Sequence, residues 1–197
     1  MSIQDTKFGD LEQMLEQSIS LKISLVDAQP KIWRRVHIPA IFSLGHVHDV
    51  IQICMGWENS HLHCFRISGN EYSAHYDGDP EPFGENADDV LLLELGAIEP
   101  GFRFEYEYDF GDSWMHTLLL EKVLEPEPGQ QVPVCIKGKR ACPPEDVGGV
   151  WGYEGFLEAI GNPDHPEHEE YLEWIGGEFD PEVFDLVETN AMLQELR

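Results

Sequence analysis

Apolar and polar residues alternate with a period of two from Ile19 to Leu25, so that Ile19, Leu21, Ile23 and Leu25 share one side of the chain. That pattern predicts a half-buried strand, ended by Pro30. KIWRRVHIP reads as a second strand, closed by Pro39. The period then lengthens. In SLGHVHDVIQICMGW, Leu44, Val47, Ile51 and Cys54 recur at helical spacing, with Ser43 as N-cap and Gly56 as stop signal. On that helix His48 falls at the edge of the apolar stripe, as a buried hydrogen-bonded histidine, and His46 on the opposite side. HLHCFRISG and NEYSAHY predict a third and a fourth strand around a Ser68-Gly69-Asn70 turn. Residues 77–89 form an acidic loop broken by proline and glycine, and VLLLELG fits strand or helix equally well. FRFEYEYDF and WMHTLLLEKVL are two further strands.

Residues 125–150 contain five prolines and four glycines, which predicts a long irregular loop of the kind that is functional or disordered. Beyond it the chain reads as helical. YEGFLEAIG and HPEHEEYLEWIGG are two short helices. DPEVFDLVETNAMLQEL is a third, with Asp180 as cap, Pro181 at its first position, and Val183, Phe184, Val187, Met192 and Leu193 inward. Strands first and helices last predict a single α+β domain over 1–197: a mainly antiparallel sheet, one helix in the first half and a helical C-terminal third. Residues 1–18 are a tail or a short helix from Phe8 to Ser18, with Leu11, Met14 and Leu15 inward.

Charge narrows the function classes. The formal net charge is −26, from 38 acidic and 12 basic side chains. No basic residue lies between Arg66 and Arg103, nor from Tyr153 to Leu196. Such a surface repels phosphate backbones and argues against nucleic-acid binding. It favours a basic protein or peptide as partner, or a cation, although a solvated acidic face is the ordinary use of such charge. No apolar run approaches the length of a membrane span. The polar, acidic opening MSIQDTKFGDLEQMLEQ has no secretory pattern, so a cytoplasmic location is expected.

The stretch YDFGDSWMH concentrates candidate chemistry. Taking Gly111-Asp112 as a two-residue hairpin turn pairs Phe110 with Ser113, Asp109 with Trp114, Tyr108 with Met115 and Glu107 with His116. The aromatic residues Phe102, Phe104, Tyr106, Tyr108 and Phe110 then face the core with Met115, Thr117 and Leu119. Glu105, Glu107 and Asp109 face outward with Trp114, His116 and Leu118. Asp109, Asp112 and His116 converge at one rim as candidate catalytic residues, a carboxylate–imidazole set suited to general base catalysis or a divalent metal. A Glu–His pair across strands and an Asp at a turn are equally ordinary on a polar sheet face. His61 and His63, two apart on the next strand, add imidazoles to the candidate metal set.

RACPPEDVGGVWGYEGF supplies a candidate binding loop of Cys142, Pro143, Pro144, Asp146, Gly148 and Gly149, with Glu145 a further carboxylate. Folded across the polar face, it would carry Cys142 and Asp146 toward the histidines. The candidate metal ligands are therefore His61, His63, Asp112, His116, Cys135 and Cys142, with zinc as an example of the ion. Cys135 and Cys142 lack the spacing of a tight zinc knuckle, and Cys54 sits on the helix stripe as buried filler. Neither a phosphate-binding loop nor a Gly-x-Ser-x-Gly elbow occurs.

IWRRVHIP, HVHDVIQICMGWENSHLHCFRI, YDFGDSWMH, CIKGKRACPPEDVGGVWGYEGFLEAI and HPEHEEYLEWIGGEFDPEVFD, taken together, resemble the plasmid pRiA4b ORF-3-like family from about residue 19 to about residue 186. The resemblance implies an α+β fold and no particular activity. It marks His61, His63, Asp109, Asp112, His116, Cys142, Pro143, Asp146 and Gly149 as the family's distinctive positions. Two functions remain open on these readings: a non-enzymatic protein- or peptide-binding module, and a metal-dependent hydrolase or nuclease-like enzyme built on the His/Asp cluster.

Overall fold

The structure, a computed structural model, describes residues 16–76, 83–96, 99–125, 129 and 131–196. One eight-stranded sheet runs in the order β5-β4-β3-β6-β7-β1-β2-β8. Its strands are β1 (Ser18–Leu25), β2 (Trp33–Pro39), β3 (His63–Ile67), β4 (Asn70–Ser73), β5 (Glu85–Asn86), β6 (Arg103–Tyr108), β7 (Trp114–Leu124) and β8 (Val134–Lys139). All pairings are antiparallel except β4 with β5. The helices are α1 (Leu44–Met55), α2 (Gly149–Gly161), α3 (His168–Ile175) and α4 (Leu186–Leu193). The α+β class is as expected. No helix among the described residues is long and apolar enough to cross a membrane.

The two-residue alternation of β1 buries Ile19, Leu21, Ile23 and Leu25 in the middle of the sheet. Helix α1 lies over the same core. Ser43 Oγ accepts from His46 N–H at 3.2 Å, and Gly56, at φ 88°, ends the helix with its N–H on Gln52 O. Its apolar stripe is pinned by polar contacts to β6: His48 Nδ1 lies 2.8 Å from Tyr106 Oη, and Gln52 Nε2 donates to the same hydroxyl at 3.1 Å. Arg34 is buried without a carboxylate partner among the described residues. It donates to the carbonyls of Cys54, Trp33 and Lys139 and stacks under the Phe184 ring at 3.9 Å. This one guanidinium thus ties β2, the end of α1, the end of β8 and the segment before α4 together.

Four expectations need correction. The 125–150 stretch is not irregular throughout: β8 lies within it and pairs with β2. VLLLELG is neither strand nor α-helix but a 3-10 turn over Leu92–Leu95. The last helix starts at Leu186, capped by Asp185, whose Oδ1 accepts from Val187 and Glu188 N–H at 2.9 Å. Asp180 instead closes a local turn on Glu182 N–H, so Val183, Val187 and Met192 are exposed while Leu193 is buried. The fourth correction is the hairpin register. Tyr108 pairs with Trp114, Glu107 with Met115 and Tyr106 with His116. The reversal spans residues 109–113, with Asp109 and Ser113 at φ 55° and 53°, Ser113 N–H on Asp109 O, and Gly111 N–H on Asp109 Oδ1. A slip of one residue exchanges the faces of β7. Trp114, His116, Leu118 and Leu120 go into the core, and Met115, Thr117 and Leu119 take the outer face with Glu105 and Glu107. Phe110, expected inside, is exposed at the hairpin tip. The proposed helix at Phe8 to Ser18 lies outside the described residues as far as Leu15, and Ser18 opens β1.

Candidate functional site: a carboxylate–imidazole rim

Three separate segments meet at one end of the sheet: the turn before β3, the β6–β7 hairpin and the loop before α2. His61 sits in the first, one residue short of Leu62, whose carbonyl accepts Asp109 N–H at 2.9 Å. That hydrogen bond holds the hairpin tip beside the histidine. His61 Nδ1 lies 3.8 Å from Asp109 Oδ1, and its Nε2 lies 3.2 Å from Asp146 Oδ1 and 3.6 Å from Glu145 Oε2. Ligand atoms of His61, Asp109 and Asp146 all fall within 4.8 Å of one another. Asp109 and Asp146 both adopt left-handed backbone, at φ 55° and 58°, a conformation aspartate tolerates better than most residues.

The loop before α2 is fastened on three sides. Trp57 Nε1 donates to Pro143 O at 3.1 Å. Glu145 Oε1 accepts from Glu58 N–H at 2.7 Å and from Tyr108 Oη at 2.9 Å, leaving Oε2 toward His61. Asp112 Oδ2 accepts from Gly148 N–H at 3.0 Å. Burial and the Glu145 bond both push the Tyr108 hydroxyl pKa up, so it stays a proton donor. The chain after Pro143-Pro144 therefore delivers two carboxylates to one imidazole.

The structure brings together only part of the predicted set. Asp109, His61 and Asp146 converge. Asp112 is a clamp on the diglycine rather than a member of the cluster. His116, expected on the rim, is buried beneath it: Nδ1 donates to Trp114 O at 2.8 Å, Nε2 has no hydrogen-bond partner among the described residues, and burial lowers its pKa to about 4. His63 is buried too. Its ring stacks on His48 at 3.6 Å, and burial lowers the two to about 3 and about 4. His61 and His63 thus do not share a face, because His61 precedes the strand. Cys135 and Cys142 join no metal-competent group with the histidines among the described residues, and belong to the surroundings of Arg34 with Cys54. All four cysteines are free, and burial pushes the Cys142 thiol up. Among the described residues His61, Asp109 and Asp146 form the one metal-competent group of three. Sequence reasoning missed Trp57, counted Glu145 only as a further carboxylate of the loop, and gave Tyr108 no role at the site. Only their nearness in the chain to Asp146 and Asp109 hinted at the latter two.

Beside the cluster an apolar cleft opens, lined by Leu62, His63, Ser73, Ala74, Tyr76, Phe83 and Phe110. Leu62, Tyr76, Phe83 and Phe110 are all exposed, and the Phe83 and Phe110 rings meet edge to face at 6.4 Å. Leu62 and Phe110 each follow a cluster residue directly in the chain.

Comparison with known proteins accords with this architecture. The family model described as plasmid pRiA4b ORF-3-like protein matches residues 17–188. An uncharacterized protein, y4hQ, of Sinorhizobium fredii (strain NBRC 101917 / NGR234) is 35% identical over 187 residues, covering 93% of this chain and 94% of its own. The crystal structure of MM3350, a protein of unknown function from Methanosarcina mazei Go1, superposes with a TM-score of 0.77 at 37% identity, covering 88% of this chain and 97% of that one.

Proposed function

The chain belongs to the plasmid pRiA4b ORF-3-like family, and we propose that it binds a divalent metal ion at His61, Asp109 and Asp146 and acts through it on a ligand seated in the adjoining apolar cleft. The observation that carries this reading is the convergence of one imidazole and two carboxylates, with Glu145 alongside, from three separate segments. The ion pairs of arginine among the described residues go to Glu121, Glu71, Glu107 and Glu182, never to Asp109, Glu145 or Asp146. Carboxylates gathered around an imidazole, with no lysine or arginine paired to them among the described residues, repel one another, and a divalent cation offsets that repulsion. A mixed nitrogen and oxygen set suits zinc or manganese better than magnesium or calcium.

The reaction class these residues fit is hydrolysis. A bound divalent ion would polarise a carbonyl or phosphoryl oxygen and make its water more acidic. Glu145 Oε2 faces the cluster while Oε1 is held by Tyr108 and Glu58, and would serve as general base toward a water there. The exposed cleft supports a second reading, a non-enzymatic module that holds an apolar segment of a partner beside the ion.

Elemental analysis of untagged protein, with thermal unfolding in added zinc or manganese, tests the site. Near-stoichiometric metal and a rise in melting temperature are expected, with affinity falling at least about tenfold in Asp109→Asn and Asp146→Asn. Below about a tenth of an equivalent, with no stabilisation by any divalent ion, the proposal fails. Metal-dependent turnover of activated esters or phosphodiesters, lost in Glu145→Gln with the metal retained, would favour the enzyme. Retained metal without turnover would favour the module.

A further inference from the structure

A second open feature lies on the other side of the loop that carries Asp146. A groove of ≈ 580 Å³ is lined by Val26, Asp27, Asp112, Ser113, Met115, Val150, Trp151 and Glu154. Trp151, in the first turn of α2, is 84% exposed, the most open of the large apolar side chains. Among the described residues no ring contact involves it, and its face is left to solvent. Met115 reaches the groove because the true hairpin register turns it outward. Three carboxylate residues line the groove and no lysine or arginine does.

We propose that this groove receives a lysine or arginine side chain from a basic segment of a partner protein. The indole face attracts a cation by its quadrupole, more strongly than phenol or benzene rings do. Met115, Val26 and Val150 offer an apolar wall for the methylene stem, which long basic side chains bury while the charged head stays polar. Asp27 and Glu154, both exposed, supply countercharge at the rim. The net charge of −26 steers a basic partner toward the surface and rejects a polyanion. General acidity alone would attract such a partner anywhere; the open tryptophan in a groove with an apolar wall makes this one place specific. The inference does not depend on an ion at His61, and it stands or falls separately from the metal site.

The test is fluorescence anisotropy of a labelled oligo-lysine peptide against the full chain, with Trp151→Ala, Asp27→Lys/Glu154→Lys and a control double variant Glu169→Lys/Glu170→Lys on α3. The control makes the same charge change on exposed residues of another helix. Trp151→Ala is expected to weaken binding by roughly three- to thirty-fold, the span of a cation–π contact. Asp27→Lys/Glu154→Lys should weaken it by more than the control, and the difference should shrink at high salt. Because Trp151 is so exposed, its variant should keep the wild-type unfolding midpoint. Binding by Trp151→Ala within about twofold of wild type, equal losses in the two charge variants, or no binding of the peptide at low salt would each overturn the proposal.

Discussion

Gly149 has no room for a side chain. A Cβ there would stand 2.5 Å from Asp112 O, and its φ of 70° already disfavours any other residue. Gly148 also has a positive φ, of 94°, but its Cβ would meet only Gly152 Cα at 3.6 Å. The two glycines therefore make different demands: Gly148 needs conformation alone, and Gly149 needs conformation and space. Gly149→Ala is expected to cost about 1–3 kcal/mol, more than Gly148→Ala, because the loop must lift from Asp112 as well as strain. Lifting the loop withdraws Asp146 from His61, so Gly149→Ala should also weaken metal binding. Urea midpoints for both variants, paired with a metal titration, check this; equal costs would mean the contact with Asp112 does not hold the loop. Residue chemistry of this kind was half legible in the sequence. PPEDVGG reads as a stiffened carboxylate loop with two free hinges, but which glycine is crowded, and by what, depends on a hairpin about three dozen residues away.

At the scale of elements, β8 and the β6–β7 hairpin separate what pattern can and cannot reveal. β1, β2 and α1 are written in local periodicity and caps, and they form where the sequence puts them. β8 is hidden among prolines and glycines because its stability is not local. Among the described residues it is an edge strand paired only with β2, and Asn190 of α4 serves its backbone from outside. Asn190 Oδ1 accepts Cys135 N–H at 2.7 Å, and Nδ2 donates to Cys135 O at 2.9 Å, so a side-chain amide imitates a neighbouring strand. Asn190→Ala removes both bonds and strands two backbone groups at a largely buried position. A loss of about 1–3 kcal/mol is expected, with faster amide exchange at Cys135 than elsewhere in the sheet. Unchanged exchange at Cys135 would mean that water replaces the amide at no cost. The hairpin was illegible for another reason. Gly-Asp looks like a two-residue turn, yet the left-handed residues are Asp109 and Ser113, which bear no glycine signature. Moving the reversal by one register position sent His116 inward and replaced it at the rim with His61, a residue whose partners lie in two other segments.

For the molecule as a whole, buried imidazole and surface acid act on stability in opposite directions as pH falls. Burial holds His48 and His116 near a pKa of about 4 and His63 near about 3, against an ordinary value of 6.5. Below pH 6.5 the unfolded chain takes up protons at all three residues while the folded chain does not. Unfolding therefore binds protons, stability rises with pH across this window, and it is lost as pH falls from about 6.5 toward about 4. Three such groups give a slope approaching roughly 4 kcal/mol per pH unit near pH 5. Protonating the surface carboxylates relieves the self-repulsion of a chain of net charge −26, but their ordinary pKa values lie near 4, so that relief arrives mostly after the histidines have acted. Stability should therefore fall with acidification first and flatten afterwards. His116→Asn isolates the cause: Asn offers Trp114 O a donor but cannot titrate. The variant should be less stable at every pH, through the smaller side chain, yet its slope near pH 5 should be shallower by about one proton. Urea midpoints from pH 7 to pH 4.5 measure both slopes. Parallel curves for the two proteins would mean that His116 is charged inside the fold, a result incompatible with a ring enclosed by Trp57, Tyr106 and the Trp114 carbonyl.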